Sequence, residues 1–482
     1  MRDVLRFLRR GKIVALKNVA PTQTVLDYLR GQEKSRGTKE GCNEGDCGAC
    51  TVALGSLRGG RIVYEPVNAC ILLMGHLDGK ELVTVDDLAQ GGDLHPVQKA
   101  MVDTHASQCG FCTPGFVMSL FTLHHSGQRL ARAGIVDHLA GNLCRCTGYR
   151  PIVDAATASC TGKADDGHGN DAALLSTIND GTDLFIGDAL RFLAVPANAA
   201  TLTALVAAHP TATIVGGATD VGLWITKQLR VLPKIIHVGG VAALHAIAYT
   251  DKKLILGAAV TYAEAEKYLG EIDPDIAEVL RRLGSKQVRS VGTIGGNIAN
   301  GSPIGDMAPL LMALGSRLQL RHAKKTRDVA LEDFFVSYGR QDRKSGELVW
   351  RIEIPKLRPN EVFRAYKISK RFDQDISAVL GAFKFKLNEA RIVSARVCFG
   401  GMAATPSRAA GAEAALAGVS IDQPQSWSKA IAALAQDFQP ISDMRASAEY
   451  RLEVAGSLLR KALMEVAGTS DTRIVGEREA TW

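Results

Sequence analysis

The sequence predicts a multidomain α+β protein, and three observations carry that expectation. At 482 residues the chain is longer than one hydrophobic core usually serves. Its apolar pattern changes along its length, from short alternating runs, to helical spacing, to alternating β and α signals. Eight of its ten cysteines fall between Cys42 and Cys146.

Composition sets the outer bounds. Apolar residues make up 46% and charged residues 22%, the balance of an ordinary globular protein. A formal charge of +7 is small for this length and its basic residues are scattered, so nucleic acid is not an expected partner. Charges interrupt every apolar run well before about 18 residues, so no membrane span is expected. At the start, Arg2, Asp3, Arg6, Arg9 and Arg10 break the apolar core that an export signal needs, which predicts a cytoplasmic location. There, Val4, Arg6 and Leu8 alternate with Leu5 and Phe7 and predict a strand.

The elements follow in order. Residues 1–87 carry short strands, a short helix from Thr24 to Arg30 and a glycine-rich cysteine loop. Residues 88–160 read as helical, with Pro96, Pro114 and Pro151 each placed to open a helix in its first turn. Residues 161–183 are rich in Gly, Asp, Asn and Ser and predict a solvated linker. From 184 to 357 the pattern alternates: a helix bearing Leu202, Leu205 and Val206, a strand over 212–215, and a strand over 253–259. Thr261 and Glu264 then stand at capping-box spacing and predict a helix start. Residues 358–466 hold a β-rich stretch over 383–399 and two helical runs, and 467–482 form a tail.

Clustered cysteines in a long chain without an export signal read as metal ligands before disulfides. Cys160 and Cys398 stand apart and read as small buried apolar residues. The first set is Cys42-x4-Cys47-x2-Cys50, with Cys70 twenty residues on, the plant-type ferredoxin spacing of a [2Fe–2S] cluster. Gly41, Gly45, Gly48 and Ala49 lack bulk and let backbone amides approach the sulfurs. Zinc also takes four thiolates, although its sites more often use two short Cys pairs. The second set is Cys109-x2-Cys112 and Cys144-x-Cys146, each pair just before a proline-initiated helix. By spacing alone a structural zinc competes there as well.

No Gly-x-Gly-x-x-Gly follows a strand, so a Rossmann dinucleotide site is not indicated. Two other glycine-rich stretches stand out: Ile214, Val215, Gly216, Gly217, Ala218, Thr219, Asp220 and Val221, and then Ser290 to Asn297. Bare turns let amides reach a pyrophosphate, with Thr219, Thr293 and Asn297 as further donors. Gly217 is expected at positive φ. Taken alone, either stretch reads first as a structural turn.

The motifs Gln108-Cys-Gly-Phe-Cys-Thr-Pro-Gly and Asn142-Leu-Cys-Arg-Cys-Thr-Gly-Tyr, behind the first cysteine set, carry a family resemblance. Residues 1–160 resemble the iron–sulfur domains of the molybdenum hydroxylases, the xanthine dehydrogenase and aldehyde oxidase group. Residues 186–357 resemble that family's FAD domain, and a smaller flavoprotein domain follows to about 465. The resemblance implies a β-grasp ferredoxin domain and a four-helix-bundle [2Fe–2S] domain. An α/β FAD domain of the vanillyl-alcohol-oxidase (PCMH) type and a small α+β C-terminal domain would follow. It implies FAD contacts at 214–221, at Thr293, Ile294, Gly295, Gly296 and Asn297, and at Asp306, Val349 and Lys367. Leu283 would also face the flavin, where many relatives have an aromatic residue, and 371–375 resembles a charged stretch near it.

The chain ends without a third large domain, so the resemblance implies a molybdopterin-binding large subunit, in an (αβ)2 heterotetramer of the bacterial two-subunit type. That partner would oxidise hypoxanthine and xanthine. Electrons would pass through the second cluster, the first cluster and FAD to NAD+. An aldehyde or another N-heterocycle is the alternative substrate. No residue of this chain is expected to act as a catalytic acid or base.

Overall fold

The computed structural model describes residues 1–89, 91–162, 169–468 and 472–473. The expected linker falls partly, and the expected tail largely, outside the described residues. The chain forms two compact units. The first comprises Met1–Ala243 and Gly284–Gly292, the second Leu244–Leu283 and the described residues from Thr293 on. Residues 184–357 are therefore shared between the two units.

The first unit opens with a five-stranded mixed sheet in the order Lys12–Leu16, Leu5–Arg9, Glu81–Val83, Thr51–Arg58, Arg61–Asn68. The predicted first strand is present, with Leu5 and Phe7 fully buried against Val25, Leu29 and Val52. Thr24 caps the helix Val25–Asp27 in a reciprocal box with Asp27, and a π-helical turn, Tyr28–Gln32, continues it. This is the β-grasp arrangement, and the first cysteine loop runs from that helix into the strand Thr51–Arg58.

Four helices follow: Pro96–Asp103, Thr113–His125, Arg132–Leu139 and Arg150–Ser159. Pro96, Pro114 and Pro151 each lie in a first turn, where a missing N–H leaves no helix bond unmade. Phe116, Phe121, Ile135 and Ile152 form their core, which extends to Ala53 and Tyr64 of the sheet.

The expected linker contains the helix Gly169–Ile178, which corrects the solvated reading. Leu175 and Ile178 are buried in a small cluster with Leu8, an apolar contact that composition alone conceals. A four-stranded sheet follows in the order Leu184–Gly187, Phe192–Val195, Lys234–His237, Thr213–Val215, its last three strands parallel.

The second unit has a five-stranded antiparallel sheet: Ile247–Tyr249, Lys253–Gly257, Leu348–Pro355, Arg317–His322, Lys325–Ala330. The Thr261 and Glu264 capping box is formed, opening the helix Tyr262–Gly270. A second antiparallel sheet, Glu361–Ile368, Val379–Asn388, Arg391–Gly400 and Ser407–Arg408, shares its core with the C-terminal helices. Among the described residues those helices number three, Ala410–Leu416, Ser428–Asp437 and Ala448–Val466, not two. Gly418, at φ +79°, follows the first of them, and Pro424 opens the short turn Pro424–Trp427 before the second.

Arg473 bridges two buried carboxylates of this unit, Asp275 at 2.7 Å and Glu465 at 2.6 Å, and Arg364 reaches Glu465 at 3.0 Å. Burial opposes ionisation of Glu465, but Arg473 and Thr472 outweigh it and hold the carboxyl below its ordinary value. A depressed carboxyl stabilises above its unfolded pKa and ceases to as pH falls through the folded one. Arg473→Ala leaves both carboxylates buried without this cation. We expect about 3–5 kcal/mol of lost stability at neutral pH, read from denaturant midpoints, with a deficit that shrinks in acid. An unchanged midpoint at neutral pH would refute the clasp.

Candidate cofactor sites

The first cysteine set occupies the loop that closes the β-grasp sheet. Cys50 and Cys70 are buried, while Cys42 and Cys47 are half-buried. The thiols meet in a chain of pair contacts, Cys47 with Cys42, Cys42 with Cys70, and Cys70 with Cys50. Those contacts push Cys42 well down and Cys47 and Cys70 well up. Backbone amides converge as expected: Asp46 and Cys47 donate to the Cys42 sulfur at 3.4 and 3.3 Å, and Cys42 donates to the Cys47 sulfur at 3.3 Å. Gly41 is needed here, since a Cβ on it would lie 2.8 Å from the Cys47 sulfur. Four thiols with amides aimed at them fit an anionic metal–sulfur core.

The second set pairs Cys112 with Cys144 and Cys109 with Cys146. Cys109 and Cys146 are exposed. Burial, then Cys144, pushes the Cys112 thiol up to about 12. Burial opposes Cys144 as well, but the Thr147 hydroxyl and neighbouring amides hold it down at about 7. The two loops touch directly: the Leu143 amide donates to the Cys47 carbonyl at 3.0 Å. Cys160 and Cys398 are buried, their thiols raised by burial.

The stretch 214–221 belongs to the first unit. Gly217 is not at positive φ, which corrects the expectation; Ala218 is, at 59°. The need for glycine at 217 is close approach, because a Cβ would sit 1.8 Å from the Val291 carbonyl oxygen. Two further contacts tie this stretch to the loop that carries Cys70. The Gly216 carbonyl lies 2.8 Å from Nε2 of His76, and a Cβ on Gly222 would lie 2.6 Å from Ile71. Burial, then Lys80, pushes His76 down to about 4, and its Nδ1 lies 3.1 Å from the Leu73 carbonyl, so the neutral ring donates one of these two bonds, according to its tautomer. Sequence reading missed His76, and no local signal marks it.

The remaining expected flavin contacts belong to the second unit. Thr293 caps the helix Ile294–Asn300 by accepting from the Gly296 amide at 3.0 Å. A Cβ on Gly295 would lie 2.4 Å from the Ala258 carbonyl oxygen, so this turn too is held by bare backbone. The Asn297 Oδ1 is buried with no hydrogen-bond partner among the described residues. An orphaned acceptor beside a bare turn fits a polar ligand. Asp306 is buried and accepts from Lys367 at 2.5 Å and from Ser377 at 2.6 Å. Val349 is buried in the strand Leu348–Pro355, and Leu283 is half-buried. In the 371–375 stretch, the Asp375 carboxylate accepts from the Arg371 amide at 2.8 Å.

Two four-thiol sets, together with bare glycine turns and an orphaned acceptor, define an iron–sulfur flavoprotein. Family models match along the chain in this order: a 2Fe-2S iron-sulfur cluster binding domain over 9–73 and a [2Fe-2S] binding domain over 84–157. The FAD binding domain in molybdopterin dehydrogenase matches 189–357, and the CO dehydrogenase flavoprotein C-terminal domain matches 364–466. The chain belongs to the molybdenum hydroxylase family, as its iron–sulfur and FAD portion. It carries two [2Fe–2S] clusters and FAD, which decides against zinc at either cysteine set.

Xanthine dehydrogenase of Emericella nidulans is 31% identical over 90% of this chain and 36% of its own length. Xanthine dehydrogenase/oxidase of Gallus gallus is 31% identical over 84% of this chain and 35% of its own. The chain thus spans about a third of the length of these curated relatives. Reconstituted CO dehydrogenase from Oligotropha carboxidovorans is similar in structure, with 26% identity and a TM-score of 0.52. That likeness covers 55% of this chain and 94% of the solved one.

Metal and flavin analysis should give about four irons and one FAD per chain. Gly217→Ala should lose most of the flavin while iron stays near the wild-type amount. Equal loss of both would show that the 214–221 turn holds more than the flavin.

Proposed function

We propose that this chain is the iron–sulfur/FAD subunit of a xanthine dehydrogenase that uses NAD+. The observation that carries the reading is the extent of the likeness. Relatives named xanthine dehydrogenase align with 83% to 90% of this chain, whereas the CO dehydrogenase structure aligns with 55%. One continuous chain thus joins the two cluster domains to the flavin domain in the same order as in those relatives.

In this reading the cysteines 42, 47, 50 and 70 hold the ferredoxin-type cluster, and 109, 112, 144 and 146 the second. Residues 214–221, Leu283, 293–297, Asp306, Val349 and Lys367 contact the FAD. When bound, these groups supply one- and two-electron redox chemistry. The chain's own work is to hold the second set toward a molybdopterin-binding large subunit and the flavin toward NAD+, with the first set between. Hypoxanthine and xanthine are oxidised on the large subunit, in a cytoplasmic (αβ)2 heterotetramer. The amides at Asp46, Cys47 and Cys42 stabilise charge on the first cluster, and the His76 ring lies against the Gly216 turn. A sister hydroxylase acting on an aldehyde or another N-heterocycle is the second reading, in keeping with a likeness that extends beyond proteins named xanthine dehydrogenase.

NADH added without oxygen or purine should bleach the flavin absorbance of the isolated chain. The purified complex should turn over hypoxanthine faster than an aldehyde. A flavin that ignores NADH but reoxidises rapidly in oxygen would replace NAD+ as the acceptor. A preference for the aldehyde would select the second reading.

A further inference from the structure

Gln287 lies in the helix Lys286–Val291, part of the segment that returns to the first unit, and is fully buried. Its Nε2 faces three oxygens: Asn142 Oδ1 at 3.0 Å, Thr51 Oγ1 at 3.1 Å and Ser119 Oγ at 3.3 Å. Thr51 stands next to the ligand Cys50. Asn142 stands two residues before the ligand Cys144. Ser119 lies on the helix that begins beside Cys112.

The donors and acceptors run consistently from this amide. The Thr51 hydroxyl donates to the Gly48 carbonyl at 2.7 Å, and Asn142 Nδ2 donates to the same oxygen at 3.1 Å. Ser119 donates to Asn142 Oδ1 at 2.6 Å. With the Thr51 and Ser119 hydroxyls and the Asn142 amide donating in these directions, Gln287 Nε2 donates inward, its two protons shared among the three facing oxygens. All of it ends on Gly48, between Cys47 and Cys50. Three glycines make room: a Cβ on Gly48 would lie 2.2 Å from the Gly141 carbonyl oxygen. One on Gly115 would lie 2.2 Å from the Gly48 carbonyl oxygen, and one on Gly141 would lie 1.9 Å from Gln287 Oε1.

We propose that Gln287 is a positioning residue that sets the spacing and orientation of the two cluster loops relative to each other. It does so from the flavin-domain segment, through Thr51 on one loop and Asn142 on the other. A buried amide so placed is costly to disturb: Ser119 Oγ loses its donor, while Asn142 Oδ1 keeps only Ser119 and Thr51 Oγ1 keeps only Asn142 Nδ2. The inference rests on the reading that both cysteine sets hold clusters.

The test uses the full chain reduced by dithionite and examined by electron paramagnetic resonance at low temperature. Two [2Fe–2S] clusters held close together split each other's signals, and that splitting depends on their distance and angle. Gln287→Met keeps the volume and removes the donors, and should change the splitting while iron and flavin remain at wild-type amounts. Thr51→Val should do the same, and Thr51→Ser, which keeps the hydroxyl, should restore the wild-type splitting. If Gln287→Met does not accumulate as folded protein, the Thr51 pair decides alone. An unchanged splitting in the folded variants overturns the proposal, whatever happens to their stability. Absence of two paramagnetic signals in the wild type would overturn the cluster reading instead.

Discussion

Contact between bare backbones, possible only where no Cβ intervenes, is the constraint on which the first unit depends. Gly48 and Gly115 bring the loop of the first cysteine set against the elements that carry the second. Only at that separation can the Leu143 amide reach the Cys47 carbonyl at 3.0 Å. The same device recurs at Gly217 against Val291 and at Gly222 against Ile71, where the phosphate-loop candidate meets the loop that carries Cys70. Interiors are close-packed, so an added methyl group at such a point displaces backbone rather than filling space. The ligand loops are thereby fixed by contacts remote from the sulfurs themselves.

The second unit relies on a different device, buried charge matched by buried charge. Asp306 is satisfied on both oxygens by Lys367 and Ser377, and Glu465 by Arg473, Thr472 and Arg364. Such pairs add little net stability over apolar packing, yet breaking one is expensive. They define which strand meets which helix: Lys367 stands on Glu361–Ile368, and Asp306 directly precedes the helix Met307–Leu314. The satisfaction of Asp306 by its own chain also shows that a carboxylate expected beside a cofactor already has protein partners.

Much of this was legible in the sequence, and the reason is locality. The cysteine spacings, the prolines at 96, 114 and 151, and the Thr261 and Glu264 box all act within a few residues, so their patterns survive in one dimension. Gln287 was not legible, because its partners lie 145 to 236 residues away. His76 is likewise 140 residues from Gly216. The glycine at 217 was recognised for the wrong cause: its neighbour Ala218 takes the positive φ, and the carbonyl of Val291 excludes a side chain at 217. The helix Gly169–Ile178 was hidden by polar composition, although Leu175 and Ile178 stand one turn apart and face the same neighbour, Leu8.

The discontinuity of the first unit bears on the order of events on the ribosome. Residues 284–292 are part of that unit but are made after 244–283, which belong to the other. All eight clustered cysteines have been synthesised by residue 146, yet Gln287 follows 141 positions later. At about 5–20 residues per second, that gap is roughly 7–28 s. Throughout it the nascent chain presents both thiol loops without the amide that joins them. Until then the loops have only the bonds made directly between them, Leu143 to Cys47 and Asn142 to Gly48.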